Sequence, residues 1–129
     1  MTDQSPKRIL IVDDEAPVRA ICSRMLTPLG YVVETVENGD QALAHFKERV
    51  FDLLITDYSM PGELNGLALG QAVRERSPRT QVILMTAFPA VDTAVATLRM
   101  GAFDYLVKPF DQKELIQRVQ ACFAQQPLP

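Results

Sequence analysis

Arg8-Ile9-Leu10-Ile11-Val12-Asp13-Asp14-Glu15 is the stretch that decides the fold. Five residues dominated by β-branched and apolar side chains stop abruptly at three acids. An apolar run without alternation is a strand covered on both faces, the kind that fills a parallel sheet. An amphipathic pattern follows at helical spacing: Val18, Ile21, Cys22, Met25, Leu26 and Leu29 form a stripe, and Pro28 and Gly30 close it.

The same alternation runs outward to the end of the chain. Tyr31 to Val36 reads as a strand, and Gly39 to Arg49 as a helix with Ala42, Leu43 and Phe46 on one face. Phe51 to Thr56 is a strand ending at Asp57, and Leu67 to Arg76 a helix. Gln81 to Met85 is a strand ending at Thr86, followed by a helix marked by Val91, Ala94, Val95 and Leu98. Phe103 to Val107 is a strand ending at Lys108-Pro109, and Asp111 to Ala124 a last helix striped by Leu115, Ile116, Val119, Cys122 and Phe123. All these stripes are read as core. Strands alternating with helices imply an α/β parallel sheet with helices on both faces and right-handed crossovers.

The chain has 129 residues, 47% hydrophobic and 22% charged. That suits one domain over residues 1–129, with a core of about 8–125 and short flexible ends. Net charge is −3 and the pI about 5.1, which disfavours a nucleic-acid surface. No apolar run is long enough to span a bilayer and the first residues carry no signal-peptide core, so the expected location is cytoplasmic. Cys22 and Cys122 fall on helical stripes with no metal or redox spacing, and are read as packing residues. Gly70, inside a helix, is expected to allow close packing against a neighbour. His45 is read as a surface or half-buried residue.

In open α/β sheets, ligands bind beyond the carboxyl ends of the strands. Those ends carry Asp13 and Asp14, then Asp57, Thr86 and Lys108. Converging carboxylates repel one another and call for a hard cation. Mg²⁺ takes oxygen ligands and keeps positions open for phosphate, while a lysine and a hydroxyl can receive the anion. No GxxxxGK[ST] loop is present, so the phosphoryl group is not expected from a bound nucleotide.

Four segments resemble, in order and spacing, the motifs of response-regulator receiver domains of bacterial two-component signalling. They are Ile9 to Glu15, Leu54-Ile55-Thr56-Asp57-Tyr58-Ser59-Met60-Pro61-Gly62, Val82 to Ala87, and Tyr105-Leu106-Val107-Lys108-Pro109-Phe110. The resemblance implies a flavodoxin-like (βα)5 fold, a doubly wound five-stranded parallel sheet in the order 2-1-3-4-5, which is the strand order established for receivers. It also implies roles. Asp57 resembles the phosphoacceptor. Asp13, Asp14, Asp57 and the backbone carbonyl of Ser59 resemble the Mg²⁺ ligands, with Mn²⁺ as a substitute ion. Thr86 looks like the switch hydroxyl, Tyr105 like the aromatic switch residue, and Lys108 like the phosphate partner, with a cis bond to Pro109.

The implied donor is a histidine kinase or a histidine phosphotransfer protein. The implied output is a conformational change at the face made by the fourth helix, fifth strand and fifth helix, where relatives form homodimers or meet partners. The segment from Asp92 to Tyr105 looks like receivers that precede DNA-binding or ATPase output domains. The chain is thus read as a phosphoacceptor that catalyses its own phosphorylation and dephosphorylation, and not as an enzyme on external substrate.

Three rival functions fit less well. An aspartyl-phosphate hydrolase would usually carry a second Asp where Ser59 stands. A phosphorylation-independent interaction module would usually lack one of the acids or the lysine. A flavodoxin-like electron carrier would need a Ser/Thr-rich phosphate loop after the first strand. Two departures from the family pattern stand out. The loop Gly62-Glu63-Leu64-Asn65 is one residue longer than usual, read as a tolerated surface insertion. Phe88-Pro89 follows Ala87, where Pro89 is expected to start the fourth helix and Phe88 to slow attacking water.

Overall fold

The computed structural model describes residues 5–62 and 64–124. Five parallel strands are present: β1 (Arg8–Val12), β2 (Val32–Val36), β3 (Leu53–Asp57), β4 (Gln81–Thr86) and β5 (Asp104–Val107). They pair in the order β2-β1-β3-β4-β5, as the resemblance implied. The helices are α1 (Ala16–Leu26), α2 (Gly39–Glu48), α3 (Gly66–Arg76), α4 (Val91–Arg99) and α5 (Gln112–Ala124), and a 3-10 turn over Thr27–Leu29 extends α1. The expected frayed tail, 125–129, lies outside the described residues.

Strand side chains alternate between faces, and each face builds its own core. Ile9 and Ile11 pack with Leu53, Ile55, Ile83 and Met85 under α1 and α5. Leu10 and Val12 pack with Leu54, Val82 and Leu84 under α2 and α3. β3 is buried along its whole length, which explains its unbroken apolar sequence. Asn38 and Asn65 cap α2 and α3 by accepting from the Gln41 and Ala68 amides.

Gly70 behaves as expected: a Cβ there would come within 2.5 Å of Met100 Cε and 3.3 Å of Val82 Cγ1. Cys22 and Cys122 are free, buried members of the α1–α5 core. Burial first, with nearby acids adding to it, pushes both thiols up to about 12, so they stay protonated and inert at neutral pH. His45 is half-buried, its Nδ1 2.9 Å from the Gln41 carbonyl.

The stripes are not all core. Ile21 and Leu29 are exposed on and just after α1. On α4 the departure is larger: Val91 is 79% exposed, Leu98 68% and Val95 39%, while the fully buried residue is Thr97. Thr93, Ala94 and Ala96 are half-buried beside Thr97, so the small residues turn inward. Thr97 is burial-competent because its hydroxyl donates to the Thr93 carbonyl at 2.7 Å. Periodicity fixes that a helix forms, but not which face meets the sheet. Pro89 does not start α4 either; the helix opens at Val91 after an extended Ala90.

Candidate functional site

The chemistry gathers where the strands end. Asp13 keeps pace with the sheet through its N–H, which donates to the Val36 carbonyl at 3.2 Å. Its side chain is fully buried. Oδ1 accepts from the Glu15 amide at 2.9 Å, and Oδ2 from Lys108 Nζ at 2.7 Å. Asp14 is exposed on the open side of the cleft. Asp57 ends β3 opposite Met85, and the Tyr58 amide donates to the Met85 carbonyl at 2.7 Å, extending the pairing one residue beyond it.

Lys108 reaches this cleft from β5. Its amide donates to the Thr86 carbonyl at 2.7 Å, and the bond to Pro109 is cis, as expected. The ammonium lies 2.7 Å from Asp13 and 3.1 Å from Asp57, with Glu15 at 4.0 Å. One cation thus holds two buried carboxylates drawn from separate strands.

Asp13, Asp14 and Asp57 each offer an oxygen, and these atoms all lie within 4.8 Å of one another. The crowding is felt electrostatically. Burial raises the Asp57 carboxyl above its ordinary range; Lys108 pulls it down, and Asp13 and Asp14 push it up again. For Lys108, burial alone would lower the ammonium, but the hydrogen bonds and charges of Asp13 and Asp57 outweigh it and raise the group. Three clustered oxygen donors with one lysine leave a surplus of negative charge, and a hard divalent cation is the group that fits it.

Thr86 is buried at the end of β4, its Oγ1 accepting from the Phe88 amide at 3.1 Å. Tyr105 pairs with Leu84 in the β4–β5 register and packs, half-buried, against the α2–α3 core. Leu84 and Thr86 are two residues apart, so Thr86 and Tyr105 share one face of the sheet. Ser59 is exposed two residues beyond Asp57. Phe88 is 81% exposed, so the shielding expected of it is not seen in this conformation. The longer loop is more than a surface insertion at Leu64, which packs into the α2–α3 core and covers Gly39, where a Cβ would meet Leu64 Cδ2 at 2.6 Å. Glu63 lies outside the described residues.

Two contributors were missed by sequence reasoning. Glu15 adds an acid near Lys108. Arg19 donates from Nη1 to the Asp13 carbonyl at 2.7 Å. A cation near the amino end of a helix, where acids are favoured, was the available signal. Beside the carboxylates runs a largely apolar groove of about 260 Å³, lined by Glu15, Val18, Ile21, Ala87, Lys108, Pro109 and Phe110.

A family model described as the response regulator receiver domain matches residues 9–120. The DNA-binding transcriptional regulator NtrC of Salmonella typhimurium is 40% identical over 112 residues, 87% of this chain. The regulatory protein AtoC of Escherichia coli is 45% identical over 113 residues, 88% of this chain. The chain spans 24% of the length of each of these curated relatives. Among solved structures, the chemotaxis protein CheY4 of Vibrio cholerae superposes with a TM-score of 0.86 at 32% identity, covering 92% of this chain and 99% of that one. NtrX of Brucella abortus superposes with a TM-score of 0.88 at 30% identity, covering 95% of this chain and 28% of that one. No helix among the described residues is long and apolar enough to cross a membrane.

Proposed function

Because the chain belongs to the response-regulator receiver family, we propose that Asp57 is its phosphoacceptor, loaded by a phosphohistidine on a histidine kinase or phosphotransfer protein. A carboxylate oxygen of Asp57 forms the new bond to phosphorus, the bond from phosphorus to the imidazole nitrogen breaks, and the histidine leaves with the electron pair. Attack by water on the acyl phosphate later returns Asp57 and inorganic phosphate, so the domain acts only on its own modification.

The observation that carries this is the convergence of Asp13, Asp14 and Asp57 around the Lys108 ammonium at one rim of the sheet. The three carboxylates and the Ser59 carbonyl would hold Mg²⁺, or Mn²⁺ with the same preference for oxygen. An ion held there would supply positive charge to offset that of the transferring phosphoryl oxygens. Lys108 supplies a second positive charge to that anion, and Thr86 a hydroxyl donor. Thr86 shares its sheet face with Tyr105, which supports a coupled movement of the two when Thr86 turns toward the phosphoryl group.

The apolar groove along α1 and Phe110, next to Lys108, supports a docking contact with the donor there. The outward-facing Val91, Val95 and Leu98 of α4 and Val107 of β5 support a homodimer or output contact through the α4–β5–α5 face. A cytoplasmic setting goes with a kinase donor of this kind. Intact-protein mass after acetyl phosphate treatment tests the proposal. The expected result is a Mg²⁺-dependent gain of one phosphoryl group that is absent in Asp57→Ala. An adduct that persists in Asp57→Ala, or one indifferent to chelation of Mg²⁺, refutes it.

A further inference from the structure

Two consecutive acids must serve one cleft, yet consecutive residues leaving a strand direct their side chains to opposite faces. The peptide between Asp13 and Asp14 therefore has to be turned and then held. The local restraints on it are few. Glu15, which precedes α1, makes no side-chain cap, and the first turn of that helix contains Pro17. The Asp13 carboxylate accepts from the Glu15 amide and from Lys108. A divalent cation that engages that carboxylate competes with both contacts.

Arg19 is placed differently. Its Nη1 donates to the main-chain carbonyl of Asp13 at 2.7 Å, on the peptide that joins the two acids. Its Nη2 lies 3.8 Å from Glu37 Oε1, in the loop after β2. Glu37 is itself held, its amide donating to Gln41 Oε1 at 2.9 Å. The Arg19 side chain is only 18% exposed and sits near the positive end of α1, where the helix disfavours a cation. The carbonyl and Glu37 compensate for that placement.

Resting on the Mg²⁺ site proposed above, we infer that Arg19 is a positioning residue for the divalent cation. It holds the Asp13–Asp14 peptide through a main-chain bond that the ion does not contest, so both carboxylates stay aimed at Asp57 as the ion enters. Arg19 touches neither ion nor phosphate. It acts as the outer hydrogen bonds of metal sites do, by fixing the ligands. A purely electrostatic role predicts the opposite sign, because deleting a nearby positive charge would tighten binding of a cation.

Calorimetric titration of Mg²⁺ into the wild type, Arg19→Met and Arg19→Lys, beside thermal unfolding without Mg²⁺, decides between them. Arg19→Met keeps the aliphatic stem and loses the donors. Its Mg²⁺ dissociation constant is expected to rise about 10- to 100-fold, the range seen on removing ligand-orienting partners. Arg19→Lys, which can return one donor to the carbonyl, is expected to recover part of the loss. Unchanged or tighter binding in Arg19→Met overturns the inference. So does an Arg19→Lys no better than Arg19→Met, or a weakening fully matched by the unfolded fraction at the titration temperature. A wild type that does not bind Mg²⁺ at all strikes the proposed function first, and this inference with it.

Discussion

Gly66 opens α3 directly behind Asp57, the proposed phosphoacceptor, and its replacement by alanine is the sharpest probe of how the site is built. A Cβ at Gly66 would stand 1.9 Å from the Asp57 carbonyl oxygen, 2.8 Å from its carbon and 2.9 Å from Tyr58 Cα. Ordinary contact begins near 3.4 Å, so α3 and the end of β3 must part by about 1.5 Å. The neighbours are backbone and cannot turn aside. Overpacking of this kind costs up to about 3 kcal/mol. The Gly66 amide also donates to the Tyr58 carbonyl at 2.9 Å, and stretching that bond adds about 1 kcal/mol. A gain of a few tenths of a kcal/mol from alanine's helix propensity offsets little. The expected loss is therefore about 3 kcal/mol, or about 10 °C in Tm for a domain of this size.

The same displacement moves the Asp57 peptide, and a shift of about 1 Å at a reacting group costs on the order of 10²-fold in rate. Gly70→Ala is the control. Its Cβ meets the flexible end of Met100, which can swing away, and the helix interior gains about 1 kcal/mol from alanine. Its stability should stay within about 1 kcal/mol of wild type. Urea unfolding followed by far-UV circular dichroism gives the stabilities, and phosphoryl uptake by mass gives the rate. A Gly66→Ala protein within about 1 kcal/mol of wild type, or a Gly70→Ala protein harmed as much, would refute the reasoning.

Two further outcomes follow from the charges of the cleft. Asp57 is raised above its ordinary 3.8, so the folded state holds its proton more tightly than the unfolded state. The unfolding free energy contributed by this group is then greatest below that value and declines as pH rises through the folded pKa. Asp57→Asn without Mg²⁺ should be more stable than wild type at neutral pH, with the advantage fading as pH falls toward 4; urea titrations across that range check it, and an advantage that grows on acidification contradicts it. Lys108→Met leaves the fully buried Asp13 without its cation. Breaking such a pair costs about 3 kcal/mol, and millimolar Mg²⁺ should restore part of it; equal thermal midpoints for the variant with and without Mg²⁺ would count against that account.

Much of this was written in the chain. The run from Ile9 to Val12 is apolar on both faces because β1 is central, between β2 and β3, and a central strand in a helix-covered sheet has no solvent side to mark with polar residues. Asp13, Asp14, Asp57, Thr86 and Lys108 could be grouped without coordinates because parallel strands put every carboxyl end at one rim. Local signals sufficed for both: a strand is recognised by its residues, and the rim by where each strand stops.

Only the tertiary structure decided what depends on the partner an element meets. α4 is amphipathic by sequence, yet Val91, Val95 and Leu98 face outward and Thr97 inward, because a periodic stripe shows that a face wants cover without saying what covers it. Arg19 and Leu64 act on residues 6 and 25 positions earlier, Asp13 and Gly39, through contacts that no composition or period encodes. The Lys108 ammonium spans 95 residues of sequence to reach Asp13. Its distances to Asp13 and Asp57, and the rise they produce in its pKa, come from the closure of β5 onto β4, which is a property of the sheet and of no single segment.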